Sequence, residues 1–419
     1  MIEIKERRQA KVTGFELDEK FLRSRRHAKW NMYKPDVIPA WVAEMDFALA
    51  DPIRKAVAAL SDQMDLGYPL REGGVAENAV GTAFSRRMKS LFGWDTDPKL
   101  VQPVADLVQG TFAPIMAFSE KGDGIVLQTP AYPPFYEAIN TLARQLVANP
   151  LRDGADRYEI DFDALEASIG PRTRMVMLCN PQNPTGRVFS RAELERIGKI
   201  ALAHDMIVVS DEIHSDLVHP GHEHIPFGSL SPELGARTIT ITSATKSFNI
   251  PGTRCAVLHF GTQELKDKFH ERIPRRILGA PSIVGIDATI AAVTTASIDA
   301  TIAAWDDSQP WLDEVLAYLT ANRDHLARRV AADLPGVTFH KPEATYMAWL
   351  NCSGLKLDKP AQQFFLEEAK VGMSAGETFD PAYAHHARLN FATSRSILDE
   401  MIDRMAAAVA RRGRSEAAA

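Results

Sequence analysis

The clearest pattern in the chain is the alternation, in its middle third, of short apolar runs with amphipathic stretches. The run TRMVMLCN, ending at Asn180, carries no charge after Arg174, which predicts a strand buried on both faces. A Pro/Gly loop follows. In SRAELERIGKIALAHD the apolar residues recur at helical spacing, and Ser190 with Glu193 three residues on forms a capping box that predicts the helix start. MIVVSDE and RTITITSATK predict two more buried strands, and KGDGIVLQTPAYPPF upstream reads as a turn, a strand and a Pro-rich loop.

Strands alternating with helices predict an α/β fold whose mostly parallel sheet is covered on both faces. In such sheets functional groups collect beyond the carboxyl ends of the strands. Asn183, Asp211 and Lys246 each follow a different strand, so one rim is expected to carry all three. Beyond about residue 285 the pattern turns helical in WLDEVLAYLTANRDHLARRVAADL. A strand pair is then predicted around GVTFHKPEATYMAWL and a helix in AQQFFLEEAKV, which suits an α+β second lobe. A length of 419 residues also favours two lobes over one undivided core.

Composition narrows the class without naming a function. Apolar residues at 45% and charged residues at 24% are ordinary for a globular chain and rule out disorder as the main state. The 48 basic and 54 acidic residues leave a net charge of −6 with no long run of one sign, so neither a nucleic-acid nor an anionic-membrane partner is expected. MIEIKERRQAK has no apolar core, and no uncharged apolar stretch reaches the roughly 18 residues of a membrane span. The expectation is a cytoplasmic protein. Cys179, Cys255 and Cys352 are odd in number and far apart, so they read as buried apolar residues, with no disulfide framework and no metal.

Lys246 is the most informative residue, because SATKSFN places an ammonium on a Ser/Thr-rich turn at a strand end. Alone it would be a surface lysine. Its company changes the reading: Arg254 stands eight residues on in NIPGTR, where a Gly/Pro stretch can fold the guanidinium back, and Ser243 precedes the lysine by one turn. A hydroxyl, a fork of donors and an amine together make a phosphate site with a nucleophile beside it. Asp211 would bring a carboxylate to the same rim, with a helix N-cap as its plain alternative. A lysine able to form a Schiff base, a phosphate clamp and an acid for a protonated ring nitrogen are what pyridoxal 5'-phosphate needs.

With NPQNPTG (180–186), SDEIHSDL (210–217) and SATKSFNIPGTR (243–254) in this order, the chain resembles the fold type I aminotransferase superfamily. KW (29–30), AWVAEMDF (40–47), LGYPLREGG (66–74), TPAYPPF (129–135) and RLNFATSR (388–395) further resemble its MalY/PatB-like branch of carbon–sulfur lyases. The resemblance spans nearly the whole chain. It implies a large domain (49–285) with a mostly parallel seven-stranded sheet, a smaller α+β domain (286–419), and an N-terminal segment (1–48) packed with the latter.

The resemblance also assigns roles. Lys246 would carry the cofactor and then move the substrate Cα proton, and Asp211 would bind the pyridine nitrogen. Asn183 and His214 would hydrogen-bond the phenolic oxygen, His214 standing where many relatives have Tyr. Tyr132 would stack on the ring, or merely pack between Pro130 and Pro133. Arg388 would clasp the substrate α-carboxylate, where an Arg on a strand edge is otherwise a surface ion pair. Trp41 would line the substrate pocket, or sit in a plain packing strand. Tyr68 would reach across a homodimer to the neighbour's phosphate, or be an ordinary turn tyrosine.

Three departures stand out. Many relatives have Gly-Val-Val where this chain has Asp106, Leu107 and Val108. An acid facing a phosphate would be repelled, so Asp106 is expected to cap the helix sideways while the amides of Leu107 and Val108 donate. KWN replaces the commoner KWD, and Ala344 stands where Gly is usual. The resemblance favours β-elimination from a cysteine S-conjugate such as cystathionine, giving a thiol, pyruvate and ammonia. The alternative is an aminotransferase for a neutral or aromatic amino acid, and a third reading is an inactive or regulatory scaffold of the same fold.

Overall fold

In the computed structural model the described residues are 14–64, 75–274, 278 and 295–417. Seven strands form the main sheet: β1 (Val101–Val104), β2 (Gly124–Thr129), β3 (Gln145–Pro150), β4 (Thr173–Cys179), β5 (Ile207–Asp211), β6 (Thr238–Thr242) and β7 (Ala256–Phe260). Their spatial order is β1-β7-β6-β5-β4-β2-β3. All pairings are parallel except those of β7, which runs antiparallel to both β6 and β1. The α/β class with a mostly parallel sheet is as the sequence predicts.

Alternate residues of each strand feed two cores, one on each face. Ile125, Leu127, Met175, Met177 and Val209 pack into one cluster, while Val126, Val176, Leu178 and Val208 pack into the other. A strand with apolar neighbours on both sides needs a continuous apolar run, which is the reason TRMVMLC lacks polar alternation. The helix Arg191–Ala203 starts where the capping box places it, with Ser190 Oγ accepting from the Glu193 amide and Glu193 accepting from the Ser190 amide.

Two local expectations differ from the structure. The Pro-rich segment after β2 is not a loop throughout: a helix spans Pro133–Thr141, because proline at the first helical positions gives up no hydrogen bond there. The strand pair expected around residues 336–350 is not formed as a ladder either. Strand β8 (Met347–Asn351) pairs antiparallel with β10 (His386–Asn390), which also pairs with β9 (Ser374–Ala375), and only an isolated bridge joins Thr338 to Asn351.

The N-terminal part is tied to this second sheet region, as Ile38–Pro39 pairs parallel with Val371–Gly372. A third apolar cluster joins the two ends of the chain, including Trp30, Phe47, Leu319, Tyr346, Leu389 and Met401. The expected boundary at residues 285–286 lies outside the described residues. No helix of the described residues is long and apolar enough to cross a membrane.

Candidate active site

Because β1, β2, β4, β5 and β6 run the same way, the loops leaving their carboxyl ends meet on one rim. Asp106–Val108 follow β1, Tyr132 follows β2, Asn183 follows β4, Asp211 ends β5 and His214 follows it, and Ser243 and Lys246 follow β6. Antiparallel β7 begins at this rim, and that direction delivers Arg254 to it. One cavity of about 140 Å³ is lined by Leu107, Val108, Tyr132, Asn183, Asp211, His214, Ser243, Lys246 and Arg254. Nine of the twelve candidate site residues therefore share one space, and Asp106 lines it with them.

The remaining three stand differently. Arg388 and Trp41 do not line that cavity but join it through Asn183: Arg388 Nη1 donates to Asn183 Oδ1 at 2.9 Å, and Nη2 donates to Trp41 O at 3.0 Å. It is thus the Trp41 backbone that meets the arginine, while the indole donates to Lys29 O at 3.3 Å. Tyr68 lies outside the described residues.

At the anionic end, the side-on cap expected of Asp106 is present. Its Oδ1 accepts from the Gln109 amide at 2.8 Å, and its Oδ2 pairs with Arg254 Nη2 at 3.0 Å. The helix Leu107–Phe118 therefore begins with the amides of Leu107 and Val108 lacking an intrahelical acceptor, as the first turn of any helix does. Ser243 Oγ donates to Cys255 O at 2.5 Å and accepts from the Thr245 amide at 3.1 Å, so it binds the start of β7 to the lysine turn.

At the other end the charges are buried. The Asp211 carboxylate accepts from the Ile213 amide at 3.1 Å and has no ion pair among the described residues. Burial raises its pKa to about 7, with Glu212 adding to the rise and Ile213 and Lys246 opposing it. Such a group is stabilised by a cationic N–H donor brought into the cavity. The buried His214 has Nδ1 without a partner, and burial, Lys246 and Arg388 lower its pKa to about 3, so it is neutral at any working pH.

Lys246 Nζ donates to Ala43 O at 2.9 Å, and burial lowers its pKa to about 8, helped by Arg388 and opposed by Glu44 and Asp211. Arg388 is buried without an acid partner among the described residues. Burial lowers its pKa to about 10, its Nε is unpaired, and its guanidinium lies over the Phe379 ring at 4.8 Å. A buried, unneutralised guanidinium is matched by a carboxylate arriving from outside. The arrangement can take a planar, N-protonated heteroaromatic ring at Asp211, an anionic tail at the helix start, and a carboxylate at Arg388.

Residues passed over in the sequence belong here as well. Ala43 supplies the carbonyl that holds Lys246, and Tyr346 Oη donates to the same oxygen at 3.1 Å. Thr245 and Pro251 also line the cavity, as do Cys179 and Cys255, which the sequence marks only as buried apolar residues. AWVAEMDF marks the neighbourhood of Ala43, but a backbone carbonyl has no residue-type signature. No group of three or more His, Cys, Asp or Glu among the described residues is arranged to hold a metal ion.

Compared with known proteins, residues 51–405 match the family described as aminotransferase class I and II. The chain belongs to this family. Within it, the chain is similar to the PatB- and MalY-type proteins. It is 33% identical over 376 residues to cystathionine beta-lyase PatB of Bacillus subtilis (strain 168), covering 89% of this chain and 93% of the relative. It is 31% identical to protein MalY of Escherichia coli (strain K12), covering 87% and 90%. Among solved structures, cystalysin from Treponema denticola, described as containing a pyridoxal 5'-phosphate cofactor, superposes with a TM-score of 0.84 at 26% identity over 94% of this chain and 98% of that one. This member of the class I and II family thus shares its overall fold with fold type I enzymes.

Proposed function

We propose that the protein is a pyridoxal 5'-phosphate-dependent carbon–sulfur β-lyase, taking a cysteine S-conjugate such as cystathionine, with water, to a thiol, pyruvate and ammonia. The observation that carries the reading is the convergence of Lys246, Asp211 and the Arg388–Asn183 pair at one rim. The cofactor, when bound, supplies an aldehyde for the lysine and a cationic ring that stores electrons from a bond broken at the substrate Cα.

In this reading Asp211 holds the ring nitrogen, and its raised pKa marks how strongly the buried carboxylate seeks that N–H. Arg254, Ser243 and the amides of Leu107 and Val108 hold the phosphate. The Arg254–Asp106 ion pair keeps the acid's charge balanced beside that anion. Asn183 and neutral His214 hydrogen-bond the ring oxygen, and Tyr132 stacks on the ring. Arg388 clasps the substrate α-carboxylate, with Trp41 beside it.

Lys246 moves the proton. With a pKa near 8 its amine exchanges a proton readily at neutral pH, which an ordinary surface lysine does not. The Ala43 carbonyl gives that amine a defined place when it is not otherwise engaged. Two chains are read as forming a homodimer with Tyr68 crossing to the neighbouring site.

The test uses purified protein supplemented with pyridoxal 5'-phosphate. The wild type is expected to be yellow, Lys246→Ala to be colourless and inactive, and the wild type to release pyruvate and thiol from cystathionine with no keto acid added. Amino transfer that requires a keto acid, without pyruvate release, would replace this reading with an aminotransferase. A wild type that stays colourless would point to a scaffold.

A further inference from the structure

Beside the lysine cavity lies a second, larger one of about 570 Å³, walled by Arg25, His27, Glu44, Asn249, Pro251 and Thr253 over an apolar floor. The two adjoin: Pro251 lines both, and the consecutive residues Ala43 and Glu44 face one each. Nothing in the reading above uses this space, although its size suits a small-molecule site.

Its charges are arranged in a specific way. Arg25 caps the helix Glu19–Ser24, and its guanidinium is half-buried over the Phe21 ring at 4.9 Å. No acid among the described residues comes within ion-pair distance of it. Glu44 is the opposite charge in the cavity, partly buried, with His27 Nδ1 the nearest base at 3.9 Å. Its backbone is fixed, since its carbonyl accepts from Lys29 Nζ at 3.2 Å and Asn390 Nδ2 at 2.7 Å. Glu44 lines this larger cavity while its neighbour Ala43 lines the lysine cavity, so the acid stands at the junction of the two. Asp46 and Glu44 both favour the charged form of Arg25.

A guanidinium with no acid within ion-pair distance among the described residues and a separate carboxylate, above an apolar floor of Phe47, Leu49 and Val57, match a zwitterion on a methylene stem. We propose that this second cavity receives the leaving-group half of the substrate, with Arg25 binding a carboxylate and Glu44 an ammonium of a thiol that is itself an α-amino acid. The inference rests on the lyase reading and deepens it, making Arg25 and Glu44 specificity-determining residues for the same reaction.

The experiment measures pyruvate release by holoenzyme from three substrates: L-cystathionine, S-(3-carboxypropyl)-L-cysteine, which lacks only the distal ammonium, and S-ethyl-L-cysteine, which lacks both distal charges. Arg25→Gln is expected to lower kcat/KM for cystathionine about 10- to 100-fold, mostly through KM, as loss of a charged hydrogen bond does. S-ethylcysteine should lose little, and Arg25→Lys should recover most of the effect. Glu44→Gln should shrink the preference for cystathionine over the carboxypropyl compound. Equal losses on cystathionine and S-ethylcysteine, or none, would overturn the subsite and leave the lyase reading standing. Absence of pyruvate from all three with wild-type enzyme would overturn the lyase reading, and this inference with it.

Discussion

Lys246 rests on Ala43: its Nζ donates to the Ala43 carbonyl at 2.9 Å. That carbonyl is one of five in a row held by side chains from elsewhere in the fold. Arg388 takes Trp41 O, Asn390 takes those of Val42 and Glu44, Tyr346 shares that of Ala43, and Asn249 takes that of Met45. Residues 41–45 thus form a strap without ladder hydrogen bonds of their own, and both the lysine and the arginine of the site are buttoned to it.

The first prediction concerns pH. The Lys246 amine, with its pKa lowered from the ordinary lysine value to about 8 chiefly by burial, is protonated below that pH and nucleophilic above it. Covalent loading of cofactor-stripped protein with pyridoxal 5'-phosphate should therefore accelerate as pH rises through about 8 and then level off. Stopped-flow absorbance would check it. A rate still climbing through pH 10 would mean the lysine titrates as if it were in water.

Asp211→Asn removes the negative charge but keeps the shape of the side chain. Cofactor content should stay near stoichiometric, while exchange of the substrate Cα proton for deuterium slows about 10²–10³-fold. Exchange at the wild-type rate would remove Asp211 from the role given to it.

Arg388→Ala should raise KM for the amino acid about 10- to 100-fold, with a smaller change in kcat. Arg388→Lys should recover only part of this, since an ammonium cannot reach Asn183, Trp41 and a carboxylate with one planar fork. Thermal melts of both variants would separate a lost clasp from a loosened strap.

The fourth concerns stability. Lys29 and Asp46 form a buried ion pair at 2.7 Å, and Trp30 Nε1 donates to the other Asp46 oxygen at 2.7 Å. Lys29→Met would leave the carboxylate buried with its countercharge gone, at a cost of about 3–5 kcal/mol. Adding Asp46→Asn should return much of that loss in denaturant unfolding. This pair also accounts for the KW and MDF motifs, whose residues meet across the strap.

Much of the framework was legible in advance. The apolar runs of β4, β5 and β6, the capping box at Ser190 and the rim positions of Asn183, Asp211 and Lys246 follow from periodicity and cap chemistry, which act over a few residues. The strand pair near residue 347 differs from the local reading because pairing is not local: β8 finds its partner in β10, some forty residues on, with a helix, turns and two short strands between them.

Arg388 shows the same limit at the site. Its strand is central in its sheet, which buries it, and its acceptors Asn183 and Trp41 lie 205 and 347 residues away along the chain. The sequence by itself determined which side chains were available and which strand ends would carry them, since both depend on residue type and local spacing. Only the tertiary structure decided that β7 runs backwards to bring Arg254 to the rim and that a bare carbonyl at Ala43 holds the lysine. Strand direction is set by long-range packing, and a carbonyl is the same in every residue, so neither leaves a mark in the order of side chains.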